Sequence, residues 1–551
     1  MLQRFLSTGF ISILVLTALL FGGTYWLIGC FYETNDDIIL TFLLSGFSGW
    51  GPITDLTLYL HGLSVPISKL YQVFPSWPWY GLGLYSLLFV VTLLAFRFIY
   101  YCLKPKDGLP FFYFLIILFY LANWYEHVFW FNYSRLAVLL SGMAGLNAWL
   151  DGQQSVSGFN KRQFGYGFLF FVALCIRPSF AFFGLGLVLP IFLLDSTFSR
   201  LIINKAFLLF LPFLLTGVLF SGYIYVKNNP AQKSYQQLDV LKSQIVDYNW
   251  CCPVPNKATE KLLYTGVNNW FLADKNIQVF LMQQQPDWRY FVQDIFILKL
   301  SLLLRELVFN HFLPFCLLAA HFIWLCKSKA RRKMILLGSY HLYFWIIILA
   351  VGLIFKLPPR VLTPSISLLL LIHLAIFPPI IKPRSLPVFV KVFGALLLLM
   401  QMYKIAHRSF WQQQRQKQSE TIITRITNNF SDHLVITAGL ENELRALSPF
   451  KNYSFHNQQL LFLTGWQTLD PHFSGYLQSL TGQGNVAQVF ESLSHRKKVI
   501  MVSNAPFVAF LEAYLKHFYH QSFHFSLIKP VEAHSSKTDR LYYYQIEKVK
   551  E

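Results

Sequence analysis

Phe31-Tyr32-Glu33-Thr34-Asn35-Asp36-Asp37 places three carboxylates within five residues, directly after the first long apolar run. The first 230 residues hold only eight acidic side chains, and four of them lie between Glu33 and Asp55. Carboxylates are costly near hydrocarbon. A cluster kept where a membrane helix should end, in a chain that otherwise avoids acids, marks a candidate for chemistry. The blander reading of the same residues is a solvated helix end or a cap for the next helix.

Working outward, the composition sets the class. Of 551 residues, 55% are hydrophobic and only 13% charged, against about 25% charged in a soluble protein. That predicts a polytopic α-helical membrane protein. The 55 Phe, 29 Tyr and 14 Trp are enough to furnish lipid-facing surface and interface belts. A net charge of +20 raises nucleic acid as a partner. Its placement excludes that, because most Lys and Arg fall in short connections between apolar runs, where they set topology and meet anionic membrane lipid. Most of the seven Cys sit in or beside apolar runs and read as small core residues. The adjacent Cys251-Cys252 reads as two thiols or a vicinal disulfide, and no Cys-x-x-Cys pair points to a metal.

Spanning a bilayer takes ~20 apolar residues. Spans are expected near 9–31, 80–103, 110–126, 134–150, 164–176, 179–194, 205–226, 306–326, 334–355, 361–380 and 386–405, about eleven in all. The first reads as a retained helix, with no small-x-small cleavage site after it. With the N-terminus in the cytoplasm, the inner loops carry Lys104/Lys106, Lys161/Arg162, Arg200/Lys205, the Lys327–Lys333 run and Lys382/Arg384. All five are basic, as the positive-inside rule demands. Glu33–Asp37 and the C-terminal tail then face outward.

The outer connections carry the remaining candidates. In the first, residues 32–79, Ile38–Phe47 is apolar enough to lie along the membrane surface, and Pro75–Tyr80 forms an aromatic hinge. The second, Asn123–Ser134, holds Glu126 and His127, either as snorkelling belt residues or as a further acidic contribution to the site. Arg177, before Pro178, lies deep in an apolar region and should pair with a carboxylate or a phosphate. Residues 227–304 form a long outer loop whose Asp239, Asp247, Asp274, Asp287 and Asp294 read mostly as solvated. Lys356-Leu-Pro-Pro-Arg360 holds two cations on the outer side, suited to a lipid phosphate or to simple interface anchoring.

Residues 1–405 thus form the membrane domain and 406–551 a small extracytoplasmic α/β domain. Strands are expected at Leu434–Gly439, Lys498–Ser503, Phe523–Ile528 and Leu541–Ile546, with helices at Glu441–Leu447 and Pro506–His520.

These parts suit transfer chemistry at the outer surface. A carboxylate activates an acceptor hydroxyl, and cations stabilise a departing phosphate. Asp36/Asp37 supply the first, and Arg177, Lys356 and Arg360 the second. A divalent metal bridging Asp36, Glu126 or His127 stays open, although no strict ligand spacing supports it.

With the acidic pair after the first span, the long first outer loop, about eleven spans and an outer C-terminal domain, the layout resembles the GT-C class of integral membrane glycosyltransferases. Asn35-Asp36-Asp37, Ser45-Gly46, Leu70-Tyr71, Pro75, Trp79-Tyr80 and Ile176-Arg177-Pro178 are similar to a group of uncharacterised bacterial membrane proteins within it. The resemblance implies a polyprenyl-phosphate sugar donor and a glycan, lipid or protein acceptor at a bacterial inner membrane. It implies Asp36 as catalytic base, Asp37 as orienter or acceptor contact, and Glu33 as a helix-end bystander. The class often carries Asp-Glu or Asp-x-Asp where this chain has Asp-Asp. Three other readings compete. They are a transporter or flippase of lipid-linked saccharide, a non-catalytic envelope-assembly protein, and a saccharide polymerase or ligase working from the 227–304 loop.

Overall fold

The computed structural model describes residues 8–46, 51–103, 109–154, 161–194, 200–251, 255, 257–327, 331–376, 388–453, 459–482, 484, 486–494, 496, 498–531 and 540–549. Lys104, Lys106, Lys329, Lys382, Arg384 and the Cys252 half of the vicinal pair lie outside them.

The chain is mostly helical, with a small sheet near its C-terminus. Among the described residues, five helices are long and apolar enough to cross a membrane: Phe10–Ile28, Trp79–Leu103, Phe112–Phe129, Arg331–Ile354 and Pro359–Ile376. Trp288–Asn310 and Phe312–Cys326, bent by 81° at their junction, make a sixth if taken as one span. Arg162–Ile176, Pro178–Phe192 and Leu211–Lys227 are apolar but shorter. Leu215, Val218 and Leu219 on the last of these stand exposed, as lipid-facing side chains do. This is the pattern of a protein embedded in a membrane.

The hub is the Tyr133–Gln154 helix, buried along nearly its whole length. It packs against Trp79–Leu103, Lys161–Ile176, Pro178–Leu194 and Pro359–Ile376. Close approach of backbones depends on small residues. A methyl group added at Gly184 would lie 2.3 Å from the Val138 carbonyl oxygen.

Two connections flank this hub and are stitched together by a short parallel ladder. Strand β1 (Phe31–Tyr32) pairs with β2 (Trp130–Phe131), and the Glu33 amide continues the ladder to the Phe131 carbonyl at 2.8 Å. The helix that follows, Asn35–Ser45, differs from the surface segment expected at Ile38–Phe47. Ile38 through Leu44 are all buried by protein, because the Ser64–Val73 helix, the ladder strand Phe31–Tyr32 and the Leu440–Glu443 segment of the C-terminal region pack against this helix. The chain returns through Ser64–Val73, fixed by Ser64 and Ser68 hydroxyls on the Thr54 and Ile53 carbonyls.

The 227–304 segment folds into helices, among them Pro230–Val246, Ala258–Asn268 and Lys275–Gln283. Not all its acids are solvated. Asp274 is buried, caps Lys275–Gln283 and accepts the Tyr514 and Tyr519 hydroxyls at 2.6 and 2.5 Å.

Val388–Asn429 runs as one 42-residue helix into the C-terminal region. There a five-stranded sheet has the order β4-β3-β5-β7-β6, with β3 (Leu434–Thr437), β4 (Gln459–Phe462), β5 (Val499–Asn504), β6 (Phe523–Pro530) and β7 (Leu541–Lys548). The first three are parallel, and β7 runs antiparallel to β5 and β6. The fully buried Leu434-Val-Ile-Thr437 has the continuous apolar character of a covered parallel strand. Ligands of such sheets gather at the carboxyl ends of the parallel strands. Here that edge faces Asp36.

Candidate functional site

The acidic cluster opens the Asn35–Ser45 helix. Thr34, extended at φ −133° and ψ 162°, precedes it and gives no cap bond to the backbone. Its hydroxyl turns instead to the carboxylates of Asp36 and Asp37, at 3.5 and 3.3 Å. Both acids gain from the positive end of the helix dipole. The β1–β2 ladder then brings Asn132 and Tyr133 beside them. Asp37 is wholly buried. Its Oδ1 accepts the Tyr80 hydroxyl (2.8 Å) and the Tyr133 amide (3.3 Å), and its Oδ2 accepts Asn132 Nδ2 (2.8 Å). Burial nonetheless pushes its carboxyl up to about 8. With every face occupied, Asp37 is a buttress that fixes the helix start.

Asp36 has a different setting. It is half-buried, and Trp466 donates its indole Nε1–H to Oδ1 at 3.0 Å. The residue holding the predicted base therefore comes from the loop after β4. Arg177 lies between the rings of Tyr59 and Phe180 (4.9 and 4.8 Å to the centroids) and donates to the Tyr133 hydroxyl at 2.9 Å. It occupies the break between Lys161–Ile176 and Pro178–Leu194, where Pro178 cannot donate and the Leu60 amide takes the Ile176 carbonyl at 3.1 Å. Asp36 is within electrostatic reach of Arg177 and of Arg360, which also feels Glu33. Among the described residues Arg360 makes no hydrogen bond or ion pair, which leaves its donor fork available. The structure thus gathers Asp36, Asp37, Arg177 and Arg360.

Glu33 is no bystander. Its Oε2 pairs with Arg135 NH2 at 2.6 Å, both side chains nearly sealed from solvent. Arg135 sits on the hub helix, and an unpaired guanidinium there would be severely destabilising.

Glu126 and His127 fall elsewhere. Glu126 Oε1 holds Arg408 (2.8 Å) and Lys404 (3.1 Å) of the 42-residue helix. His127 Nδ1 receives Arg135 NH1 at 3.3 Å, so its Nε2 carries the proton toward Ser367 Oγ, 2.7 Å away. Both are committed to the interior, off the Asp36 centre. Lys356 and Arg360 both act on the Asp247 carboxylate. Lys356 pairs with Asp247 at 2.7 Å. Burial would raise the Asp247 carboxyl, but Lys356 holds it below its ordinary range. Among the described residues no group of three His, Cys, Asp or Glu side chains gathers to hold a metal.

Lys356 lines a cavity of about 810 Å³, with Lys299 and Arg305 as further cations and Leu302, Leu303, Phe309 and Phe355 as apolar wall. Pro359, also on its wall, leads directly to Arg360. The volume lies within the roughly 300–1,000 Å³ of small-ligand sites.

Sequence reasoning missed Trp466, Asn132 and Arg135, and it placed Tyr80 in the aromatic hinge without its bond to Asp37. Arg135 carried a signal, being a lone charge at the start of a long apolar run. Trp466 carried none, since only the fold brings it to Asp36. No protein-family model and no curated protein matches the chain.

Proposed function

We propose that the chain is a GT-C-like glycosyltransferase, moving a sugar from a polyprenyl-phosphate donor to a hydroxyl acceptor with Asp36 as general base. One observation carries this reading. A half-buried carboxylate, steered by the Trp466 indole, lies in reach of two arginines, and a cavity lined by three cations, two carboxylates and an apolar wall reaches Pro359, next to Arg360. In the step, the acceptor oxygen bonds to the sugar's anomeric carbon as the bond from that carbon to the phosphate oxygen breaks. The acceptor proton passes to Asp36. The electron pair leaves with the polyprenyl phosphate, whose charge Arg360 and Arg177 balance. Leu302, Leu303, Phe309 and Phe355 offer the isoprenoid an apolar bed.

On this reading the chain has about eleven spans, a cytoplasmic N-terminus, and both Asp36 and the C-terminal domain outside a bacterial inner membrane. Support comes from the exposed Arg331, Arg332 and Lys333, at the far end of the Arg331–Ile354 helix from Lys356.

The test is transfer from a synthetic polyprenyl-phosphate sugar by protein in nanodiscs. Asp36→Asn should lower turnover about 10²–10⁴-fold with donor binding intact. Arg360→Ala should mainly weaken donor binding. Near-native turnover in Asp36→Asn sinks the base assignment, and unchanged donor affinity in Arg360→Ala removes that residue from the phosphate site.

A further inference from the structure

We propose that the carboxyl edge of the C-terminal sheet is the acceptor subsite, and that Asp470 and Tyr235 there receive the hydroxyls of a neutral carbohydrate. This rests on the transferase reading and names its acceptor class.

The loop after β4 does three things in sequence. Gly465 anchors it through its amide to the Trp270 carbonyl (3.0 Å), Trp466 reaches Asp36, and Asp470 caps the Pro471–Thr481 helix through Oδ1. Asp470 Oδ1 also takes His472 Nδ1 at 2.6 Å, and His472 Nε2 reaches Asp55 at 3.2 Å. Asp470 Oδ2 is left buried with no partner. The Tyr235 hydroxyl, on the Pro230–Val246 helix, is likewise buried with no partner. The two residues are 3% and 2% exposed and lie within electrostatic reach of each other, and Tyr235 also of Tyr59. Buried polar groups are almost always satisfied. A carboxylate oxygen and a phenol without partners, set behind the Tyr59 and Trp466 rings that adjoin Asp36, are an acceptor and a donor for vicinal hydroxyls. Tyr59 and Trp466, edge to face at 5.1 Å, add aromatic surface for sugar C–H groups.

Charge selects among acceptors. Asp36 and Asp239 face Arg177, so a phosphorylated or otherwise anionic acceptor finds no net positive charge here. A cationic one finds little uncompensated charge, because Lys242 already pairs with Asp239 at 2.6 Å and His472 with Asp470. Phosphate belongs with Arg360, whose side chain has no hydrogen-bond or ion-pair partner among the described residues. A neutral polyol meets neither obstacle.

The experiment uses full-length protein in nanodiscs with the Asp36→Asn background to stop turnover. Binding is measured to three probes: neutral gluco- and manno-oligosaccharides, a phosphorylated oligosaccharide, and a lysine-rich peptide. The neutral sugars should bind best, and Tyr235→Phe should weaken them about tenfold with no fall in melting temperature, since the lost hydroxyl has no protein partner. Asp470→Asn, which keeps the helix cap, should weaken them at least as much. Preference for the phosphorylated sugar or the peptide, no binding of any probe, or native affinity in Tyr235→Phe overturns the proposal. If the neutral sugars bind as described but wild-type protein transfers nothing from a polyprenyl-phosphate sugar, the transferase reading falls and the subsite stands.

Discussion

Asp36 and Asp37 are adjacent, yet they do opposite work. Successive residues of a helix point about 100° apart, so one carboxylate enters the core and the other faces the open site. The acidic cluster was legible because acids are so scarce in the first half of the chain. Its division of labour was not, since Tyr80, Asn132 and Tyr133 reach Asp37 from other elements. The raised carboxyl of Asp37 carries a pH signature. A group whose folded value lies above its unfolded 3.8 adds stability at low pH and loses it as pH rises through about 8. Melting temperature in nanodiscs should therefore fall from about pH 4 to about pH 8 and level off above it. Asp37→Asn, which turns an amide donor toward surrounding donors, should cost about 1–3 kcal/mol and flatten that slope. An undiminished slope in the variant would acquit Asp37 of the effect.

At the level of elements, β3, β5, β6 and β7 were readable from their β-branched and aromatic runs. Strand β4 was not, because Gln459-Leu-Leu-Phe462 is brief and lacks β-branching. The helices Pro471–Thr481 and Val486–Ser494 were also unannounced. One of the contacts that dock this region onto the membrane helices needs a residue without a side chain. A methyl group on Gly81 would sit 1.8 Å from the Pro449 carbonyl oxygen. Gly81→Ala should force the 447–450 segment away from Trp79–Leu103, at about 1–3 kcal/mol. Because Tyr32 donates its amide to Leu447 at 3.0 Å, the displacement should reach the Asp36 end and lower transfer as well as stability. Native melting with native turnover in Gly81→Ala would show that the contact is soft.

Across the whole molecule, hydropathy announced a membrane protein, while the joints between its parts stayed hidden. Each joint is a pair of side chains far apart in the chain: Glu33 with Arg135, Glu126 with Arg408, Asp36 with Trp466. One joint should respond to pH. The hydrogen bond that His472 donates to Asp470, then the nearby Asp55, keeps its imidazolium above its ordinary range. That clasp between Asp55 and the C-terminal region holds fully below pH 6.5 and loosens as pH climbs through the raised value. Hydrogen exchange in residues 466–481, corrected for its intrinsic pH dependence, should rise over that interval in wild type and already be high at pH 6 in His472→Gln. Identical profiles would leave the clasp without a role.

The indole that steers Asp36 lies 430 positions further along the chain. At ribosomal speeds of roughly 5–20 residues per second, that interval lasts roughly 20–90 s. During it the carboxylate is already in place and its steering group does not yet exist. A nascent chain therefore waits with Asp36 unsteered, and on the transferase reading the order of synthesis itself withholds activity until Trp466 has been made and docked.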